Sequence, residues 1–149
     1  MARPLGDGIE GFAELERALK ELSVVKQRRA IRNAARASLL PVEKSAKQLV
    51  PKGTRPHKTY KGRLVGPGFA SRNINRSSGM SKDGATFFAT VGTKKEGFYV
   101  RQFIEGVVDA PQKPQPWLRP AYEVNRGKVK KLFAQKLREQ IIKQAKKAK

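Results

Sequence analysis

Apolar residues recur along this chain at two periods, and the change between them divides it into helical ends and an extended middle. From Gly11 to Leu22, Phe12, Leu15, Leu19 and Leu22 return at steps of three and four opposite Glu14, Arg17 and Glu21, which predicts a short amphipathic helix. Ser23 then caps a second pattern. In it Val24, Ile31, Ala35, Leu39, Val42, Ala46 and Leu49 fall on or near one stripe, while Lys26, Arg28, Arg29, Arg32 and Arg36 occupy the rest. Pro41 lies inside this pattern and lacks a backbone donor, so the helix either kinks there or divides, with Pro41 in the first turn of the second piece. We expect one kinked helix ending before Pro51.

Residues 51–68 hold Pro51, Gly53, Pro56, Gly62, Gly66, Pro67 and Gly68 among basic residues, a composition that predicts a long mobile loop. Strand character follows in Phe69 to Arg76 and Ala85 to Val91, where Phe87, Ala89 and Val91 alternate. Ser81-Lys82-Asp83-Gly84 between them suits a hairpin turn. Phe98 to Gly106 fits a strand or a short helix equally well, and Val107 to Pro116 is a loop held extended by Pro111, Pro114 and Pro116. The helical period then returns. From Leu118 to Lys146 the residues Leu118, Ala121, Val124, Val129, Leu132, Phe133, Leu137, Ile141 and Ala145 approximate one face, with Lys136 its polar exception and Gly127 a point where it can bend.

The length and apolar content suit a single domain over residues 1–149, with an amino-terminal arm (1–10), the basic Pro/Gly loop (51–68) and a basic tail (143–149) as appendages. The chain has no cysteine and one histidine, so a disulfide scaffold, a thiolate metal site and a histidine cluster are excluded. No apolar run approaches the roughly 20 residues that span a bilayer, and Met1 to Gly11 lacks the apolar stretch of a secretory signal, so synthesis in a cytoplasm is expected.

Charge changes the picture most. Lys and Arg number 33 against 12 Asp and Glu, a formal net charge of +21, and a chain this basic gains by releasing counterions from a polyanion. The acids are unevenly placed. Asp7, Glu10, Glu14, Glu16 and Glu21 lie at the start, and Glu43 is the sole acid from residue 23 to residue 82. A solvated helix normally interleaves charges of both signs to form i,i+4 pairs, so the acid-free run Arg28, Arg29, Arg32, Arg36 points to a phosphate backbone or an acidic partner. The loop adds Lys52, Arg55, Lys58, Lys61 and Arg63. Tyr60 is the one aromatic residue inside it, which disfavours recognition of single strands by stacking. The candidate DNA-facing or partner-facing residues are therefore Arg28, Arg29, Arg32, Arg36, Lys58, Lys61 and Arg63.

Catalysis finds little to work with. His57 stands alone among basic residues, and Glu105 and Asp109 fit no metal loop and read better as ion-pair partners of Arg101 or Arg119. Gly62 to Gly68 lacks the Gly-Lys-Ser/Thr ending of a phosphate-binding loop, and a metal nuclease needs more clustered carboxylates than this chain carries. No enzymatic activity, cofactor or metal is expected. In Gln115-Pro116-Trp117-Leu118-Arg119-Pro120, Pro120 suits a first helical turn. Trp117, Leu118, Arg119 and Pro120 are thus expected to form a rigid corner that staples the last helix onto the sheet.

The order of these features resembles a known family. Gly11-Phe12 with Glu14-Leu15 and Leu19 is followed by Ala35-Arg36-Ala37-Ser38-Leu39-Leu40-Pro41-Val42, by Leu49-Val50-Pro51 and by Gly62-Arg63-Leu64. Then come Phe103-Ile104-Glu105-Gly106 and Gln115-Pro116-Trp117-Leu118-Arg119-Pro120-Ala121 before a long final helix. The set is similar to the HK97-like phage gene-product-ten proteins, small head-tail joining or tail-completion components of tailed phages, over nearly the whole chain. The segment from Gly66 to Ser81 is longer than the family's, and the basicity is unusual for it. The resemblance implies an α+β fold, a small antiparallel sheet packed against two amino-terminal helices and a long carboxy-terminal one, and no enzymatic activity. It implies a ring at the head-tail junction of the virion, beside connector, tail-terminator or tail-tube proteins, with non-specific double-stranded DNA passing through and no membrane. Such a protein is made in the bacterial host's cytoplasm. Ring closure needs unlike surfaces to meet, and Glu14, Glu16 and Glu21 are the expected subunit-interface residues, set against a basic helix of the next copy. The alternative is a cellular nucleic-acid-binding or ribosome-associated protein that uses the same basic residues.

Overall fold

The apolar stripe of the first segment becomes helix α1, Phe12–Lys20, which buries Leu15. Helix α2, Val24–Ser38, buries Ala30, Ala34 and Ser38 at four-residue spacing, and α5, Leu118–Lys146, contributes Ala134, Leu137 and Ile141. Leu15, the two alanines and these three residues form one core, with Ala18, Leu19, Leu22, Ile31 and Phe133 packed on its margin. On the outside, Asn33 Nδ2 donates to Gln140 Oε1 at 3.3 Å and ties α2 to α5. A computed structural model describes residues 11–101 and 113–147, and these gather into two compact units. The first unit takes its described residues from 11–39, 78–89 and 127–147, and the second from 40–77, 90–101 and 113–126.

The kinked helix expected through Pro41 is instead two helices. α2 stops at Ser38, Leu39 leaves helical geometry at φ −85° and ψ 2°, and α3 runs from Leu40 to Leu49. The cause is local. A proline inside a continuous helix lacks the N–H that would bond the carbonyl four residues back and clashes with it, whereas in a first turn that donor is not required. Near the end of α2 the Ser38 hydroxyl donates to the Ala35 carbonyl at 2.7 Å.

In the second unit α3 turns Val42 and Ala46 inward, and Val50 continues the same four-residue step. The expected mobile loop contains a small hairpin: β1, His57–Lys58, pairs antiparallel with β2, Leu64–Val65, in the register His57 to Val65 and Lys58 to Leu64. Thr59 and Arg63 close its turn through a 2.9 Å backbone bond. Phe69 to Asn73, read from sequence as the start of a strand, is the short helix α4. Gly68 enters it at φ +77°, a left-handed conformation that favours glycine, and Asn73 Nδ2 donates back to the Phe69 carbonyl at 3.0 Å.

Strand β3, Ile74–Met80, and strand β4, Phe87–Thr93, form the second two-stranded sheet around the expected Ser81 to Gly84 turn. The chain is thus α+β, with two small antiparallel sheets. After β4 a 3-10 turn at Lys95–Gly97 presses on α4, where a methyl on Gly97 would lie 2.9 Å from Asn73 Cβ. Glycine is what permits this approach. Helix α5 keeps the bounds its periodicity predicts. Residues 98–101 turn helically and 113–117 are irregular, while 102–112 lie outside the described residues, as do the arm at 1–10 and the last two residues of the basic tail.

Candidate polyanion-binding surface

Each residue of an α-helix advances the side chain by about 100° around the axis, so Arg28, Arg32, Arg36 and Arg29 of α2 share an arc of about 100°. Ala30, Ala34 and Ser38 lie on the opposite side. Burial follows that division: the three are buried and all four arginines are exposed. α2 contains no acidic residue. Among the described residues, the ion pairs join Lys20, Lys47, Arg63, Arg76, Arg126 and Lys136 to acids, and none falls on Arg28, Arg29 or Arg32.

The fold adds a cation that sequence reasoning missed. A methyl on Gly84 would lie 3.5 Å from Arg28 Nη2, so the tip of the β3–β4 hairpin sits beside the arginine face, and Lys82 of that tip is exposed. The acid of that tip, Asp83, is turned to its own loop. Asp83 accepts from the Ser81 hydroxyl and from the Ala85 N–H, and these bonds, the hydroxyl's first, hold its carboxyl below the usual range. Lys82 was visible in sequence only as a turn residue; what brings it to α2 is a contact between segments over 50 residues apart, which periodicity does not carry.

The β1–β2 hairpin treats its cations differently. Arg63 makes a two-pronged contact with Glu96, Nε to Oε1 at 3.1 Å and Nη2 to Oε2 at 2.8 Å, and its guanidinium lies 5.9 Å over the Phe69 ring. Lys61 Nζ stands 5.8 Å over the ring of Tyr60, whose edge meets Phe98. Lys58 is exposed. Glu96 is held below the ordinary glutamate range, first by the adjoining Thr59 hydroxyl and then, against some burial, by Arg63 and Lys61. Thr59 Oγ1 is buried and reaches no partner at full hydrogen-bond geometry, so its influence on Glu96 is one of proximity.

Within this hairpin His57 Nε2 shares a 2.8 Å hydrogen bond with Tyr99 Oη, and His57 meets Phe69 and Tyr99 edge to face. Burial pushes the Tyr99 phenol up. These rings, with Arg55, Pro51 and Pro67, border a cavity of about 100 Å³. In the same unit, Glu43 receives both Lys47 Nζ, at 2.7 Å, and Arg76 Nε. Burial pushes the Glu43 carboxyl up, but the hydrogen bonds and charges of the two cations outweigh it and leave it below the ordinary value.

The acids expected at a subunit interface, Glu14, Glu16 and Glu21, are all exposed. Glu16 pairs with Lys20 one turn on at 2.7 Å, and that hydrogen bond and charge lower its carboxyl. Asp7, Glu10, Glu105 and Asp109 lie outside the described residues. At the corner, Trp117 is fully buried and donates its indole N–H to the Val100 carbonyl at 3.1 Å. The helical turn that follows β4 therefore receives the indole of the corner. Leu118 and Pro120 are half-buried there and Arg119 is exposed.

Compared with family models, with curated proteins and with solved structures, the chain matches none. Among the described residues no group of three His, Cys, Asp or Glu is placed to hold a metal ion, and no helix is long and apolar enough to cross a membrane. The structure gathers the candidate cations into two sets in different units: Arg28, Arg29, Arg32 and Arg36 in the first, Lys58, Lys61 and Arg63 in the second.

Proposed function

We propose that this chain is a structural, non-enzymatic protein of a tailed-phage virion, one subunit of a ring at the head-tail junction through which DNA passes. The ordered set from Gly11-Phe12 through Pro41-Val42 to Pro116-Trp117-Leu118-Arg119-Pro120 carries this reading, since holding a nucleic acid requires no such set. The distribution of charge supports it. α1 exposes Glu14, Glu16 and Glu21, while α2 exposes arginines without an acid among them, so one copy offers unlike surfaces of the kind a closed ring needs. Lys128, Lys130 and Lys131 of α5 are also exposed and give the acids of a neighbour's α1 a basic helix to meet. A conduit has to let the duplex slide, and phosphate contacts permit this because they are uniform along it.

Gold labelling of an epitope-tagged copy in phage particles tests the reading. Label at the junction of head and tail is expected, beside the connector and tail-tube proteins. Particles that lack the protein, with the tagged chain sedimenting with ribosomes instead, would establish the cellular nucleic-acid-binding alternative.

A further inference from the structure

We propose that the outer face of α2, Arg28, Arg29, Arg32 and Arg36, together with Lys82 at the β3–β4 tip, is a surface that grips the phosphates of duplex DNA without reading its sequence. The identity of the nucleic acid as DNA rests on the virion reading; the surface itself rests on geometry. Arg28, Arg32 and Arg36 follow one another at single-turn steps along a ridge of about 12 Å, with Arg29 alongside. A guanidinium presents a planar fork of donors that suits phosphate oxygens. Among the described residues, α2 itself adds no stacking or amide group free to read bases. α2 has no aromatic residue to stack on them, and its Asn33 amide is engaged by Gln140.

An acidic protein surface is the competing occupant, and the make-up of the face disfavours it. Protein interfaces are built around an apolar centre, whereas Val25, the exposed apolar residue on this arc, stands at its amino-terminal end, ahead of the arginines. The β1–β2 hairpin is a poorer phosphate surface despite its similar charge in sequence. Its Arg63 fork already closes on Glu96, and Lys61 lies over Tyr60.

The test is the salt dependence of binding between the full-length protein and short duplexes of unrelated sequence, read by fluorescence anisotropy. Each phosphate contact removed lowers the slope of log affinity against log salt by about 0.9. The triple variant Arg28→Gln, Arg29→Gln, Arg32→Gln is expected to lower that slope by about 3 and to bind all the duplexes equally less well. Lys52→Gln, Lys58→Gln, Lys61→Gln removes the same charge from the other basic stretch and is expected to lower it by less than about 1. Lys82→Gln alone, a turn substitution that leaves α2 untouched, is expected to lower it by about 1 even if the triple variant folds poorly. Equal losses in the two triple variants would overturn the proposal, because binding would then follow total charge. So would a triple α2 variant that keeps its duplex slope and loses affinity for polyglutamate, since the face would then belong to an acidic protein. Absence of label at the head-tail junction, with the slopes falling as expected, would remove the virion reading and leave the surface standing.

Discussion

Residues 24–38 and 52–63 each carry five Lys or Arg and no acid, yet the fold makes different things of them. In α2 the helix puts alanines on the core side and arginines on the water side, and among the described residues no acid pairs with Arg28, Arg29 or Arg32. In the hairpin an acid arrives from 33 residues away, and Glu96 takes both prongs of Arg63. A basic run is therefore not a binding surface until the acids of the rest of the chain are accounted for. Glu43 marks the far end of the scale: it is the one acid in the basic middle, and it holds two cations in a largely buried position.

The largest effect is expected from Glu43→Gln. The Glu43 side chain is 12% exposed and Arg76 22%, closer to a buried ion pair than to a surface one, so losing the carboxylate should cost about 2 kcal/mol. Trp117 is the only tryptophan and lies buried in the same unit as Glu43, so its fluorescence in a urea titration reads this loss directly. A midpoint equal to that of the unaltered protein would remove Glu43 from the scale.

Acid should act on the same group. The Glu43 carboxyl is depressed in the fold, so its contribution is complete above the ordinary glutamate value of about 4.3. It drains away as pH falls through that value towards the lower folded one. In Glu43→Gln the acid-side loss of stability should be correspondingly shallower; an identical pH profile would show that other carboxyls govern it.

Glu96→Gln sharpens the comparison at a smaller scale. Arg63 is 62% exposed in this pair, so the stability lost should be smaller than for Glu43→Gln and should shrink as salt screens it. The more telling result concerns binding. With its fork released, Arg63 should become available to phosphate, and the salt slope for duplex DNA should rise by up to about 1. A slope that stays the same would mean that the hairpin's position, and not the pairing of Arg63, keeps it from DNA.

Much of the frame was legible in the sequence, because helices α1 and α5 are long or strongly periodic and the Ser81 to Gly84 turn has its own chemistry. Five-residue decisions were not. Phe69 to Asn73 carries strand-like residues, but Gly68 in a left-handed conformation and the Asn73 side chain bonded to the Phe69 carbonyl make it a helical turn. Pro41 announced an interruption without saying that Leu39 would break the helix outright. The arginine face was readable from the step of four. Its addition of Lys82, and the withdrawal of Arg63 by Glu96, depend on which distant segments meet, and a local pattern holds no record of that.

The smallest expected effect is also the one that tests the comparison at its root. Arg32 lies opposite Ala30 and Ala34, with no ion pair among the described residues, so truncating it removes nothing from the core. Alanine is also at least as good a helix former as arginine. Arg32→Ala should therefore leave stability within about 0.3 kcal/mol of the unaltered protein by urea titration followed by circular dichroism, which reads the helices of both units. A cost above about 1 kcal/mol would mean that the guanidinium or its stem helps to hold the fold, as buried arginine stems do elsewhere. The arginine face and the hairpin would then be two versions of one thing, cations used for structure. A neutral result keeps them apart, because a side chain that contributes nothing to folding while carrying charge into water is available to a partner.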